Sequence, residues 1–449
     1  MSALDWLAAP LVLVALAVSG QAIAARLPVT RPQRLVVGFI AGALLLQVVL
    51  SLLDVVGLRW RLPFVLLPLL ALAIVGFARR PRLAPQPTAP PGWGDAVALL
   101  AVLGFAALAS TGWITIPDFI YHWGLKGHRF LLAGHVDYAY LAQPLGWVFH
   151  PDYPNLYPEL LAVTAMLGGW HEGALLLWSP LLLLLVLIGV REGLVCEGVA
   201  PLRRNAVVAF VALACAGFAI GNLMAGAADW FLALALAAAL PALLATPSTA
   251  GDVQIGLCAA LAASAKQEGL VIAVGLVAVQ LSRWFWRGRR PSLPGLAALL
   301  VPSMLVVGYS WWRIAQHHLL QEYDKGLPAW NRLVVALGVV AKELLAPSWH
   351  GLALLLLALP LLLFVPRLRP FVAVAGLHLA AYLASCAGQD TDTRLLVVTT
   401  FTRIALQLLP ATAAAIAIAL FATRERTGTA DPATTSPAAP LASEPEASV

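Results

Sequence analysis

Apolar residues run along this chain in stretches of about 17 to 22, separated by short polar or arginine-bearing segments. A hydrocarbon slab roughly 30 Å thick asks this of helices that rise 1.5 Å per residue. The pattern predicts spanning helices at about 5–25, 35–56, 62–78, 94–113, 174–190, 205–222, 229–246, 252–265, 268–282, 294–311, 350–366, 370–387 and 403–422. The expected fold is therefore an all-α polytopic membrane bundle of about 13 transmembrane helices. Two further apolar segments, 158–170 and 331–345, are short for a span, and the second carries Lys342 and Glu343. Both are read as interfacial or re-entrant helices at the outer face.

Arginine placement sets the sidedness. The clusters Arg26/Arg31/Arg34, Arg79/Arg80/Arg82, Arg191/Arg203/Arg204, Arg283/Arg287/Arg289/Arg290, Arg367/Arg369 and Arg424/Arg426 all fall on one side of the predicted bundle, 17 of the 28 basic residues. Short cytoplasmic loops retain Lys and Arg, so this side is predicted to be cytoplasmic and the N-terminus outside. Residues 1–93 then form an N-terminal transmembrane unit ending in a cytoplasmic Pro-rich linker (81–92). Residues 94–422 form the main transmembrane domain, with an outer loop at 114–173, and 423–449 a disordered cytoplasmic tail rich in Ala, Pro, Thr and Ser. The opening apolar run lacks a charged leader, so it is read as a permanent first helix rather than a cleaved signal.

Composition agrees: 61% of the 449 residues are hydrophobic and 11% charged. Ordinary soluble chains carry roughly 25% charged residues. The net charge of +6 is scattered in ones, twos and threes, with no continuous basic patch of the kind nucleic acid requires. The four cysteines show no CxxC and no regular spacing, so neither a disulfide framework nor a zinc site is indicated. No internal repeat is evident, which argues against an inverted-repeat transporter.

With sidedness set by arginines, the other ionisable residues fall on the outer face: Asp118, His122, Lys126, Arg129, Asp137, His150, Asp152, Glu159, Asp229, Lys266, Glu268, His317, His318, Asp324, Asp390, Asp392 and Arg403. Ionisable groups at the apolar boundary are costly and point to function. If the segment from Asp118 is a regular helix, Asp118, His122, Lys126 and Arg129 make one polar stripe opposite Phe119, Trp123 and Phe130, an amphipathic helix lying on the membrane. Its carboxylate suits a general base and its cations a phosphate. Asp118 equally suits an N-cap after Pro117, and the two cations equally suit headgroup contact.

In HPDYPNLYPEL (150–160) three prolines impose a stiff extended path. There His150, Asp152 and Tyr153 become substrate-contact candidates, with Asp152 as a second acid or a turn former. Asp118, Asp152 and a histidine leave room for a divalent metal, although no ligand spacing marks one. Lys266 and Glu268 interrupt an apolar stretch of about 30 residues, which predicts two short helices meeting at the outer interface with Lys266 facing Asp118's compartment. Lys266 equally suits pairing with Glu268 or Asp229. Arg403, read as opening the last span, sits unfavourably with the helix dipole unless an anion is near, either a phosphate or Asp390 or Asp392.

In this order the acidic residue opening an amphipathic helix, HPDYPNLYPEL, GAADWFLALAL, AKQEGL and an Arg before LQLLP resemble the polyprenyl-phosphate-sugar-dependent membrane glycosyltransferases of the GT-C superfamily. The resemblance spans roughly 94–410 and is closest to bacterial relatives of the protein O-mannosyltransferases and lipid A aminoarabinose transferases. It implies a multi-pass protein of the bacterial inner membrane that inverts a sugar's configuration while moving it from a polyprenyl phosphate donor. The acceptor would be a cell-envelope glycan, lipid or protein on the extracytoplasmic side. By the same resemblance Asp118 would be the base and Asp152 a second acid. Lys266, Arg403 and Lys126 would hold the lipid phosphate. The chain departs from the family in having four helices rather than one before the acidic loop, and a single acid, Asp118, where many members pair two. A flippase of lipid-linked sugars, or an enzyme of the O-antigen ligase or polymerase kind, would share many of these features.

Overall fold

A computed structural model of the chain describes residues 2–78, 88–143, 150–288, 290–319, 328–346, 352, 354–389 and 392–422. Its described residues form an all-α bundle. The main elements are α1 (Ala3–Ser19), α2 (Arg31–Val55), α3 (Leu62–Ala78), α4 (Trp93–Ser110), α5 (Gly124–Ala133), α6 (Leu156–Gly168), α7 (Trp178–Cys196), α8 (Pro201–Gly221), α9 (Asp229–Leu244), α10 (Thr249–Ala265), α11 (Glu268–Trp286), α12 (Leu293–Gln316), α13 (Trp330–Leu344), α14 (Arg369–Gly388) and α15 (Thr393–Phe421).

Among the described residues nine helical segments are long and apolar enough to cross a membrane. They account for nine of the thirteen expected spans and make the chain a multi-pass membrane protein. Three more predicted spans are helices of 16 or 17 residues: α3, α9 and α10. The thirteenth, 350–366, is not one helix. Its described part breaks into single turns at Leu354–Leu357 and Leu359–Leu362, with Pro360 removing a backbone donor.

α9 explains how the bundle is organised. All sixteen of its residues are buried, and it packs among α7, α10 and α15. Six of its sixteen residues are Ala, which lets neighbouring helices approach closely. Glycine plays the same part elsewhere: a Cβ at Gly42 of α2 would meet the Leu16 carbonyl of α1 at 1.9 Å.

Several buried polar side chains stand at or near helix ends. At the arginine-rich end Arg191 bonds Asp95 at 2.9 Å, the neighbouring Glu192, and the carbonyls of Ala89 and Pro90. There also Arg283 donates to the carbonyls of Ala242 and Ala245 and to Gln280, which in turn donates to Asp252. The two Arg283 bonds to Ala242 and Ala245 satisfy carbonyls at the end of α9 that would otherwise be orphaned in an apolar surround.

Several expectations need correction. Of the interfacial and re-entrant readings of 158–170, the interfacial one fails, since α6 does not lie on a surface. Eleven of its thirteen residues are buried, packed against α1, α2, α5 and α10. The segment from Asp118 is not a regular amphipathic helix either, since Phe119–Trp123 form a π-helical turn before α5 begins. His122 and Lys126 are buried together with Phe119, Trp123 and Phe130: Lys126 follows Trp123 by three residues and precedes Phe130 by four, so it borders their apolar face instead of opposing it. α15 starts ten residues before Arg403, which removes the helix-start argument for that arginine. The break between α10 and α11 at Lys266 is as the charge pattern predicts. Asp324, Asp390, the linker residues 81–87 and the tail 423–449 lie outside the described residues.

Candidate functional site

Asp118 and Asp229 lie far apart in the chain, and main-chain bonds bring them together. Ile116 donates its N–H to the Ala225 carbonyl at 2.9 Å, and Ala225 donates to the Ile114 carbonyl at 3.0 Å. This two-bond bridge docks the segment before Asp118 onto the turn before Asp229. Gly226 permits the approach: its φ is 86°, and its N–H donates to Ser179 Oγ at 2.7 Å. Asp118 follows Pro117, at the start of the π turn, and Asp229 is the first residue of α9.

The two carboxylates share Arg403. Its Nη2 stands 2.6 Å from Asp118 Oδ2 and its Nε 3.3 Å from Asp229 Oδ2. Lys266, at the break between α10 and α11, places Nζ 3.1 Å from Asp229 Oδ1 and 3.2 Å from Glu268 Oε1. Gln407, one turn beyond Arg403, also donates to Asp229, and its Oε1 lies 2.6 Å from His378 Nε2. Asp229 is fully buried, so removing the hydrogens it accepts would leave a bare charge in an apolar interior. Asp118 differs, because 27% of its side chain remains exposed. One acid is therefore locked and the other accessible, with a single guanidinium between them.

Gln267 extends the site by donating to Asp152 Oδ2, so the loop at 150–155 is tied to the Lys266 turn. Consecutive residues thus serve separate partners: Lys266 holds Asp229, and Gln267 holds Asp152. Gly269 makes this compact turn feasible, since a Cβ there would stand 1.9 Å from the Ala262 carbonyl.

A second group sits on the same loop. His150 has φ 46°, a left-handed conformation uncommon for residues other than glycine, and its carbonyl accepts from Lys126 Nζ at 2.6 Å. The His150 ring stacks on Tyr153 with centroids 4.6 Å apart, and the His122 ring meets it edge-on at 4.6 Å. Trp123 closes the cluster at 3.8 Å from His122 and 6.0 Å from Tyr153. Such rings offer flat apolar faces beside polar edges.

The expected site residues therefore divide. Asp118, Asp229, Lys266, Glu268 and Arg403 form one ionic cluster, with Asp152 attached through Gln267. His122, Lys126, His150 and Tyr153 form the aromatic group. Arg129 turns elsewhere, pairing with Asp137 at 2.6 Å and covering the Tyr140 ring at 4.6 Å. Among the described residues no three of His, Cys, Asp and Glu gather to hold a metal ion.

The sequence reading overlooked Gln267, Gln407, His378 and Arg313. Gln407 was within reach, since it follows Arg403 by one turn in an otherwise apolar helix. His378 and Arg313 stand inside apolar spans, where an ionisable side chain is itself a signal. Arg313 is buried and donates to the Tyr153 carbonyl at 2.9 Å. No protein-family model, curated protein or solved structure matches the chain.

Proposed function

We propose that this protein is an integral-membrane inverting glycosyltransferase that takes its sugar from a polyprenyl phosphate donor. The acceptor belongs to the cell envelope, and the reaction occurs at the bundle end opposite the arginine-rich loops. The observation that carries the proposal is Arg403 held between the locked Asp229 and the accessible Asp118, with Lys266 alongside.

In the free protein Arg403 is occupied by carboxylates. When a lipid phosphate enters, the guanidinium keeps Asp229 on Nε and turns Nη2 from Asp118 toward a phosphate oxygen. Asp118 is thereby released beside the bound donor. It accepts the proton of the acceptor hydroxyl, whose oxygen forms the new bond to the anomeric carbon. The bond from that carbon to the phosphate oxygen breaks, and its electron pair remains on the phosphate, where Lys266 and Arg403 offset the charge. Arg403 thus couples arrival of the donor to liberation of the base. Asp229, Gln407 and His378 hold the cations and take no proton. The ring group of His122, Trp123, His150 and Tyr153 offers apolar faces for a sugar.

The test is transfer of labelled sugar from synthetic polyprenyl phosphate donors in proteoliposomes, comparing the natural chain with Asp118→Asn and Lys266→Ala. Transfer that is lost in Asp118→Asn, a change that keeps the shape and removes the base, supports the assignment. Undiminished transfer in Asp118→Asn would instead favour an enzyme of the O-antigen ligase kind. Label that crosses the bilayer without transfer would make the protein a flippase.

A further inference from the structure

A groove of about 370 Å³ opens between α2, α10 and α12. Its walls are apolar, with Ala41, Leu44, Val48, Leu257 and Leu305 among them, and its few polar side chains are Gln47, Ser51 and Tyr309. The Tyr309 hydroxyl lies 3.2 Å from that of Tyr138 and faces Ser51. Gln47 is 93% buried near the buried Glu159, and its Oε1 has no donor among the described residues. A buried amide oxygen without a donor is costly and calls for an O–H or N–H from whatever fills the space beside it.

Depth decides which donor fits. Gln47 lies eight residues before the end of α2, roughly 12 Å below that helix end at 1.5 Å per residue. A phosphate headgroup would have to leave the interface to reach it and would carry its charge into an apolar wall. A small uncharged head with a free hydroxyl meets none of these obstacles.

We propose that the groove is a second lipid site, separate from the ionic cluster, for an uncharged lipid with a free hydroxyl head, of the diacylglycerol class. The hydroxyl donates to Gln47 Oε1 and the hydrocarbon chain lies along Leu44, Val48 and Leu305. The site also bears on the rest of the molecule. Arg313, one turn beyond Tyr309, holds the Tyr153 carbonyl, so an occupant against Tyr309 lies next to the helix turn that fixes the loop carrying Asp152.

The experiment uses the full chain in lipid nanodiscs with two photoactivatable probes that differ only in the head, a diacylglycerol and the matching phosphatidic acid. Cross-linked peptides are then mapped by mass spectrometry. Labelling of α2 and α12 peptides in the groove by the diacylglycerol should exceed that by phosphatidic acid roughly tenfold, the discrimination that one buried hydrogen bond supplies. Gln47→Leu should bring the two probes to parity, and Leu305→Trp should remove groove labelling by both. Parity in the natural chain would overturn the proposal, as a crevice filled by any chain does not read the head. Preference for phosphatidic acid would overturn it too, by marking an anion site at Arg313. The comparison in the natural chain decides even if a variant fails to fold, and it needs no transfer activity.

Discussion

Phe119 occupies the space where residue 226 would carry a side chain: an ideal Cβ at Gly226 would stand 2.7 Å from Phe119 Cβ. The contact seats the start of the π turn on the approach to α9, and so fixes Asp118 relative to Asp229. Gly226→Ala combines this clash with a positive φ that alanine tolerates poorly, each of order 1–3 kcal/mol. We expect lowered thermal stability in detergent and a loss of activity larger than the stability change explains. A smaller residue at 119 in the same chain should restore part of the stability, which differential scanning fluorimetry of single and double variants measures.

Arg403→Ala should be among the most damaging substitutions, because it leaves Asp229 buried with fewer partners. Breaking a buried pair on one side costs about 3–5 kcal/mol. Arg403→Lys should fail as well, since one ammonium nitrogen cannot occupy the two separate positions from which Nε meets Asp229 and Nη2 meets Asp118. Adding Asp229→Asn to Arg403→Ala should return stability without returning function. Thermal unfolding of the four members of that cycle checks this.

Arg129 gives the contrasting case. Its pair with Asp137 leaves 40% of the arginine side chain exposed. Exposed pairs are worth about 0.2–1 kcal/mol, so Arg129→Ala should change stability by no more than that and leave transfer intact. A loss comparable to that of Arg403→Ala would bring Arg129 back into the site.

His317 stacks on Tyr138 with centroids 3.6 Å apart and planes 6° from parallel. Burial, then Arg313 and His318, hold its pKa below the ordinary histidine value. The unfolded chain therefore binds this proton first as pH falls. The stability that His317 contributes is complete above about pH 6.5 and is lost as pH drops through and below that value. His317→Phe keeps a stacking ring without a proton site, and its unfolding temperature should fall less between pH 7 and pH 5 than that of the natural chain.

His378 tests how far the site reaches into the bundle. It touches Gln407 rather than any reacting group, so it is a positioning residue. His378→Leu should free the Gln407 amide to rotate, at a cost of about 1–3 kcal/mol for an unsatisfied buried group, and lower kcat with little effect on donor KM. His378→Gln should restore part of kcat, whereas a purely structural role would show in unfolding temperature alone.

The membrane character and most helices were legible in the sequence because apolar run length is itself the physical requirement for crossing a bilayer. So was the break at Lys266, where charge interrupts an apolar stretch. The polar stripe at 118–129 misled because Lys126, three residues after Trp123 and four before Phe130, borders the apolar face instead of opposing it, and the packed bundle buries that border. The burial of α6 was hidden for a different reason: a short apolar segment looks alike whether it rests on a membrane or inside a protein. The pairing of Arg403 with Asp118 depends on main-chain bonds between residues over a hundred positions apart, which local pattern does not encode.

The ionic cluster draws its members from across the chain, and Arg403 comes from the last helix. During synthesis Asp118, Asp229 and Lys266 enter the membrane well before their shared guanidinium exists. A chain halted before α15 therefore carries Asp118 without its arginine and Asp229 with Lys266 but neither Arg403 nor Gln407. Insertion of the final helix gives Asp118 its arginine and completes the set of donors around the buried Asp229.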